Sequence, residues 1–261
     1  MMEQSTVGTA GAGLVGQVTS GVRPSQRVMP TLSIKGALKE LNNRRRTRRM
    51  RRVVIASADA SRDVFNVGGG RYDAVFVTLT YRQEEFYTTR DISGYIKATR
   101  EWLKRQRVRA SYQWVIELTR KGKPHYHILW WVPKGIRLPK PDASGMWQKG
   151  LSRIEKATRP VGYLVKYATK GDSGEFPKGA RLFGVGTQEE GVKLARHRHG
   201  LPMWLYERTD SDCRCVRVAR VGWVEKATGV IHDTPFTFEI GKDDWGFVVV
   251  KINPKEVSSA H

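Results

Sequence analysis

The stretch Trp114-Val-Ile-Glu117-Leu-Thr-Arg-Lys-Gly122-Lys-Pro-His125-Tyr-His127-Ile-Leu-Trp-Trp-Val132 organises the rest of the chain. Its two apolar halves flank a basic turn, so it predicts a β-hairpin with Gly122 near the centre of the turn. Side chains alternate along a strand, which places His125 and His127 on one face. A hairpin that folds about Gly122 sets Glu117 directly opposite His127, with Cβ atoms roughly 5 Å apart.

These side chains form a candidate metal site. Two imidazoles and a carboxylate that converge on one sheet face supply three ligands for a divalent cation and leave further positions open. A His-x-His pair in a strand is more often incidental than a metal site. The carboxylate on the neighbouring strand favours metal binding by Glu117, His125 and His127.

The charge of the chain indicates a polyanionic partner. The 261 residues carry a formal net charge of +21, and the isoelectric point is about 10.3. Such an excess of cations favours nucleic acid first and an acidic membrane surface second. A structural nucleic-acid binder without chemistry would explain the charge equally well.

A helix predicted over residues 31–55 contains seven arginines within nine residues. Arginine is almost never fully buried without a partner, so this density cannot face a core. We interpret the tract as a clamp on the phosphate backbone, which adds affinity without sequence information. The alternative is a solvated basic face or a localisation signal. The tract consists of Arg44, Arg45, Arg46, Arg48, Arg49, Arg51 and Arg52.

A strand and a helix are predicted ahead of the hairpin. Residues 72–81 are rich in β-branched and aromatic side chains and predict a buried central strand. Thr78 and Thr80 share one face of it and could point toward the metal site. Residues 88–91 resemble a capping box with Asp in place of Glu, and predict a helix as far as Gln106.

A second stretch of functional interest covers residues 158–171. A proline near its start and a glycine at its end delimit about three helical turns. Tyr163 and Tyr167 are four residues apart and lie one above the other on one face. A tyrosine pair at this spacing is usually a packing pair. Lys166 and Lys170 form a neighbouring cationic ridge, and Lys170 is a further candidate for binding DNA.

The C-terminal part of the chain stays basic and contains segments that alternate or run apolar like strands. His197 and His199 lie among arginines without an apolar strand, and we interpret them as part of a basic loop. A zinc site that joins one of them to Cys213 and Cys215 is a weaker alternative, because Cys-x-Cys is not the usual spacing. The low cysteine content fits a reducing cytosol.

Three motifs, taken in order, resemble the HUH endonucleases that initiate rolling-circle replication. The two tyrosines resemble the two-tyrosine branch of small single-stranded DNA phages, in particular the initiators of filamentous phages and prophages. The resemblance covers about residues 72–171. Its motifs are the strand end Thr-Leu-Thr-Tyr81, Glu117 ahead of Pro-His125-Tyr-His127, and Gly-Tyr163-Leu-Val-Lys166-Tyr167.

This resemblance implies a metal-dependent, site-specific DNA endonuclease and strand transferase. Tyr163 or Tyr167 would attack a DNA phosphodiester and leave a 5′-phosphotyrosine and a free 3′-OH. The two histidines and the glutamate of the hairpin would hold Mg²⁺ or Mn²⁺, and their nitrogen content tilts the site toward Mn²⁺. Lys166 would bind phosphate or assist a tyrosine.

The resemblance also implies partners. They are single-stranded DNA at a replication origin, a polymerase and a host helicase, since the sequence contains no Gly-x-x-x-x-Gly-Lys-[Ser/Thr] motif. No membrane partner is expected, because no apolar stretch approaches 18 residues, and the expected location is the cytoplasm of a bacterial host. A transposase or relaxase of the same superfamily, and a nuclease-inactive RRM-like regulator, stay open as alternatives.

The predicted fold is α+β, with a central antiparallel sheet of about five strands in the RRM or ferredoxin-like arrangement and flanking helices. Four parts are expected along the chain. Residues 1–30 form a flexible tail, and residues 31–70 form a basic, arginine-rich helical segment. The endonuclease core covers residues 71–178, and a basic, β-rich extension covers residues 179–261.

Overall fold

A computed structural model describes residues 34–66, 71–119, 121–170, 176–242 and 248–254. Its centre is a five-stranded sheet with the strand order β4-β1-β3-β2-β5, and neighbouring strands pair antiparallel throughout. The predicted sheet is therefore confirmed. The strands are β1 Tyr72–Tyr81, β2 Ser111–Leu118, β3 Pro124–Pro133, β4 Gly150–Lys156 and β5 Phe183–Gly186.

Five helices accompany the sheet in the described part of the chain, and flanking helices were predicted. They are α1 Ile34–Asn66, α2 Asp91–Arg105, α3 Pro160–Lys170, α4 Glu190–Arg198 and α5 Met203–Tyr206. The predicted start of α2 is confirmed, because the Thr88 backbone N–H donates to the Asp91 carboxylate over 2.9 Å.

Helix α1 continues eleven residues beyond residue 55, where the sequence predicted its end. The additional turns pack on the sheet through buried Ala58 and Phe65. They also carry Ser61, whose hydroxyl accepts a 2.8 Å hydrogen bond from Gln113 on β2. Tertiary packing explains the extra length. The sequence did not predict it, because the arginine tract obscures the apolar period of this helix.

The two faces of the sheet are covered by different helices. Helices α1 and α3 lie on the face that carries Gln113, Phe76 and His127. Helix α2 lies on the opposite face, where its residue Ile96 lines a cavity together with Trp130 of β3. The face of the two histidines is therefore the face of the tyrosine helix.

The predicted β-rich extension is confirmed. Strands β6 Cys215–Val218, β7 Gly222–Glu225 and β8 Ile231–His232 form a small antiparallel sheet, and β9 Phe236–Lys242 pairs with β10 Val248–Pro254. Contrary to the predicted basic loop, His197 lies within α4 and His199 caps its end. Val192 is the buried residue of that helix, and one buried position gives the sequence too little helical period to detect.

A small second core supports the extension. Leu201 and Leu205 are buried against Cys213 and Cys215, and Trp223 packs on this cluster. Helix α1 contacts α4 and thereby joins the extension to the sheet. None of the helices in the described residues is both long and apolar enough to cross a membrane.

Candidate active site

The hairpin forms, but its strands pair differently from the prediction. Glu117 lies opposite His125, not opposite His127. The turn spans residues 119–123 and is closed by a 2.8 Å hydrogen bond from the Thr119 backbone N–H to the Lys123 carbonyl. Its centre therefore lies one residue before Gly122. That glycine has a φ of +76° and follows the central residue, where a left-handed conformation completes the turn.

Glu117 nevertheless reaches His127 diagonally across the two strands. The Oε2 atom of Glu117 lies 2.8 Å from Nε2 of His127. The other ring nitrogen, Nδ1, lies 3.4 Å from the hydroxyl of Thr78, which is directly opposite on β1. Only 3% of His127 is exposed, so both ring nitrogens of a buried imidazole are oriented by polar groups.

His125 completes the donor set from the next position on the same face. Its ring centroid lies 6.3 Å from that of His127. Burial lowers the pKa of His125 from 6.5, and the neighbouring His127 lowers it further, so the ring is neutral at pH 7. Neutral imidazole is the form that binds a metal ion.

The chemistry of this donor set fits a divalent cation, but its side chains are not gathered around one point. In the described residues no three His, Cys, Asp or Glu side chains converge closely enough to hold a metal ion. The Nε2–H group of His127 donates a hydrogen bond to Oε2 of Glu117, so this contact occupies two of the atoms that a cation would need. Metal binding by His125, His127 and Glu117 thus stays a prediction.

Helix α3 brings both tyrosines to this site. The ring of Tyr167 stacks on His127 with 3.6 Å between centroids and an interplanar angle of 14°. Tyr167 and Tyr163 also contact Phe76 of β1, at 5.6 Å and 5.1 Å between centroids. The Nζ atom of Lys166 lies 5.6 Å from the centre of the Tyr167 ring.

Phe76 is a site residue that the sequence analysis missed. Its ring stacks on His127 with 5.7 Å between centroids and also contacts the rings of Tyr163 and Tyr167. Phe76 therefore supports these three side chains from the surface of the sheet. The signal was present, because alternation along β1 places Phe76 on the same face as Thr78.

The arginine tract is only partly available to a ligand. Arg44 pairs with Glu40, and Arg45 and Arg48 are exposed without a hydrogen bond or ion pair to any described residue. The other four donate to backbone carbonyls: Arg46 to Ala180, Arg49 to Gly200, Arg51 to Ala168 and Arg52 to Leu201.

These contacts give the tract a structural role that sequence reasoning did not find. Arg51 reaches the Ala168 carbonyl over 3.1 Å, near the C-terminal end of α3, where a cation stabilises the helix. Arg52 reaches the Leu201 carbonyl over 2.9 Å. The side chain of Lys170, the last residue predicted to bind DNA, lies outside what the structure describes.

The zinc alternative finds no support among the described residues. The Sγ atoms of Cys213 and Cys215 are 3.2 Å apart, and both thiols are free and buried. His197 and His199 do not join them in a group that could hold a metal ion.

The described residues form an α+β fold with a five-stranded antiparallel sheet. Two histidines and a carboxylate lie on one face of this sheet, beneath a helix that carries two tyrosines. This face is therefore a candidate active site with a tyrosine nucleophile. Residues 74–172 match the family model of the replication-associated protein ORF2. The match covers under half of the chain but includes every candidate catalytic and metal residue. It supports a replication initiator of the rolling-circle type. Comparison with curated proteins and with solved structures gives no significant match.

Proposed function

We propose that the protein initiates rolling-circle replication by nicking single-stranded DNA at an origin, with Tyr163 or Tyr167 as the nucleophile. The observation that carries the proposal is the stacking of Tyr167 on His127, whose Nε2 atom contacts Glu117. A phenol group, two imidazoles and a carboxylate thereby share one sheet face. The match to replication-associated proteins covers the same residues.

The nicking step forms one bond and breaks another. The tyrosine oxygen attacks the phosphorus and loses its proton, the bond from phosphorus to O3′ breaks, and the leaving 3′ oxygen takes up a proton. The products are a 5′-phosphotyrosine and a free 3′-OH, which a polymerase can extend. Because the linkage conserves the energy of the phosphodiester, a 3′-OH can later attack it and rejoin the strand.

A phenol needs help as a nucleophile, since its ordinary pKa is about 10. Lys166 places a cation 5.6 Å from the centre of the Tyr167 ring, where it suits contact with the phosphate that the tyrosine would attack. His125, His127 and Glu117 would hold Mg²⁺ or Mn²⁺, which when bound supplies positive charge to the scissile phosphate. Thr78 and Glu117 fix the orientation of the His127 ring.

Two tyrosines on one face suit a cycle of two cuts. One would keep the 5′ end while the other cuts at termination, in the manner of the two-tyrosine phage initiators. A host helicase would open the duplex ahead of the polymerase. Transposition or conjugative transfer would use the same residues. These two functions differ from replication in the DNA that the protein would cut.

The test is formation of a covalent adduct. Incubation of the full chain with Mn²⁺ and single-stranded DNA from the origin of its own replicon is expected to give a protein–DNA adduct that survives SDS. The double change Tyr163→Phe plus Tyr167→Phe is expected to abolish it. The matched control is Tyr206→Phe, which removes the same hydroxyl from the second core and should leave the adduct unchanged.

Three results would each overturn part of the proposal. A folded protein that forms no adduct on any origin strand in the presence of metal would exclude nicking. An adduct that persists in the double variant would exclude these nucleophiles. Cleavage of terminal-repeat DNA in preference to origin DNA would replace replication with transposition.

A further inference from the structure

A cavity of about 880 Å³ opens on the sheet face opposite the tyrosine helix. Its floor is formed by Tyr112 and Trp114 of β2 and Trp130 of β3, and one wall is helix α2. Trp114 and Trp130 are buried, whereas Tyr112 is only partly buried, with its ring centroid 4.8 Å from that of Trp130.

The cavity cannot take part in the proposed nicking step. Neighbouring side chains along a strand point to opposite faces. Trp114 lies three residues before Glu117 on β2, and Trp130 lies three residues after His127 on β3. Both tryptophans therefore lie on the face opposite the candidate active site. The cavity and the candidate active site are therefore separated by the thickness of the sheet. Any DNA segment in the cavity is a different segment from the one that reaches the tyrosines.

The rim of the cavity is strongly cationic. It carries seven lysines and arginines against one carboxylate, Glu101, and all eight are exposed. Three of the cations are spaced along one side of α2, two follow it in the loop, and two lie across the opening. They are Lys97, Arg100, Lys104, Arg107, Arg109, Arg181 and Arg196.

Several contacts within the protein hold the side chains of the cavity in place. The guanidinium of Arg181 lies over the Trp114 ring at 5.4 Å, and Arg196 donates to the Val185 carbonyl over 3.4 Å. On β5, Gly186 leaves room for Tyr112, since a Cβ atom there would lie 2.3 Å from its ring. Arg107 has a φ of +55°, an unfavourable conformation for a residue with a side chain, at the point where the chain turns along the rim.

We propose that this cavity binds a single-stranded segment of nucleic acid, with a base against Tyr112 and the flanking phosphates on the cationic rim. A partly buried aromatic ring within a ring of cations is the combination that binds unpaired nucleotides without sequence preference. The volume lies within the range of roughly 300–1,000 Å³ that holds small ligands, which suits one or two nucleotides and excludes a double helix. The site would anchor the strand while its neighbouring segment is cut.

Affinity and its salt dependence test the proposal. The full chain is titrated into fluorescein-labelled oligo-dT in EDTA, where no cleavage interferes. We expect the triple change of Arg100, Lys104 and Arg109 to alanine to weaken binding by about tenfold and to reduce the slope of log K against log salt by about two. The matched control changes Lys134, Arg137 and Lys226 to alanine, which removes the same charge from exposed positions outside the cavity.

A photocrosslink locates the strand. Irradiation of the complex with an oligonucleotide that contains 5-iododeoxyuridine is expected to join it to the peptide that carries Tyr112. Equal weakening in the cavity and control variants, or crosslinks confined to other peptides, would overturn the proposal. Equal competition by a duplex of the same length would also overturn it. The binding assay needs neither metal nor the two tyrosines, so its outcome is independent of the nicking test.

Discussion

At the scale of single residues, the contact between Glu117 and His127 is the feature on which the candidate site depends. It joins the two strands of the hairpin on the face beneath the tyrosines, and it buries a carboxylate beside an imidazole. A carboxylate there can orient the ring or bind a cation, and the binding of a cation depends on its negative charge. The amide of glutamine has nearly the same shape but no charge.

Glu117→Gln is therefore expected to slow adduct formation by about 10²-fold at low Mn²⁺. Part of the rate should return at high Mn²⁺, because the remaining ligands would bind the ion more weakly. The measurement is the rate of adduct formation across a Mn²⁺ titration, with Glu85→Gln as the control. An unchanged rate and an unchanged Mn²⁺ dependence would remove Glu117 from the site.

The thiol of Cys213 gives a prediction that depends on pH. Burial, with a hydrogen bond to Cys215, raises the pKa of Cys213 from 9.0 to about 12. The thiol is therefore protonated at pH 8, and the reactive thiolate forms only as the pH rises toward 12. We expect iodoacetamide at pH 8 to modify Cys213 at least about 100-fold more slowly in the native protein than in urea. Comparable rates, measured by mass spectrometry, would contradict this burial.

At this scale the sequence predicted which residues meet but not how they meet. The hairpin, both histidines, Glu117 and the tyrosine pair could be identified from periodicity and motif order. The pairing of Glu117 with His125 could not be identified from the sequence, because it depends on whether Gly122 lies at the centre of the turn or after it. Both arrangements have the same alternation of side chains, so the pattern does not separate them.

At the scale of elements, helix α1 holds its arginines in two kinds of environment. Arg52 is half-buried and donates to the Leu201 carbonyl, and burial lowers its pKa. Arg48 is exposed on another side of the helix. A composition of this kind predicts phosphate binding for all seven residues, because distant carbonyl partners leave no trace in the local sequence.

The two sets of arginines can be separated by single substitutions. Arg52→Ala is expected to lower the free energy of unfolding by ~2 kcal/mol, since it removes a charged hydrogen bond and leaves a carbonyl without its donor. Arg48→Ala should change that free energy by less than ~0.5 kcal/mol and weaken DNA binding instead. Urea unfolding and oligonucleotide titration of both variants make the comparison. The same loss of stability in both would contradict the division.

The fold itself was largely predictable at this scale. Strand β1, helix α2 and the hairpin have clear periods, and the resulting five-stranded sheet is present. The length of α1 and the helical state of residues 190–198 were missed for a common reason. Neither segment has a clear apolar period, and a few buried contacts with distant elements, such as those of Phe65 and Val192, decide their structure.

At the scale of the whole molecule, the internal use of arginines does not neutralise the protein. Arg46, Arg49, Arg51, Arg52 and Arg198 donate to carbonyl oxygens, which carry no net charge. The formal charge of +21 therefore remains available to attract polyanions. The cationic cavity rim is one concentrated part of this charge.

We therefore expect the affinity for single-stranded DNA to fall by at least about 300-fold between 50 mM and 200 mM salt, as for proteins that make six or more contacts to the phosphates of a single strand. Fluorescence anisotropy at several salt concentrations measures the slope. A polyanion such as heparin should compete with the DNA. An affinity that does not depend on salt would show that binding does not use the charge of the protein.

The contacts of α1 have a consequence for the folding of the protein during its translation. Arg52 leaves the ribosome 149 residues before its partner Leu201. At roughly 5–20 residues per second this interval lasts about 7–30 s. Met50 and Val54, on the apolar side of α1, belong to the main core, and the last strand of its sheet, β5, ends only at Gly186. For most of this interval they therefore have no completed surface on which to pack. Nascent chains of this protein should bind chaperones at α1 until the sheet is complete.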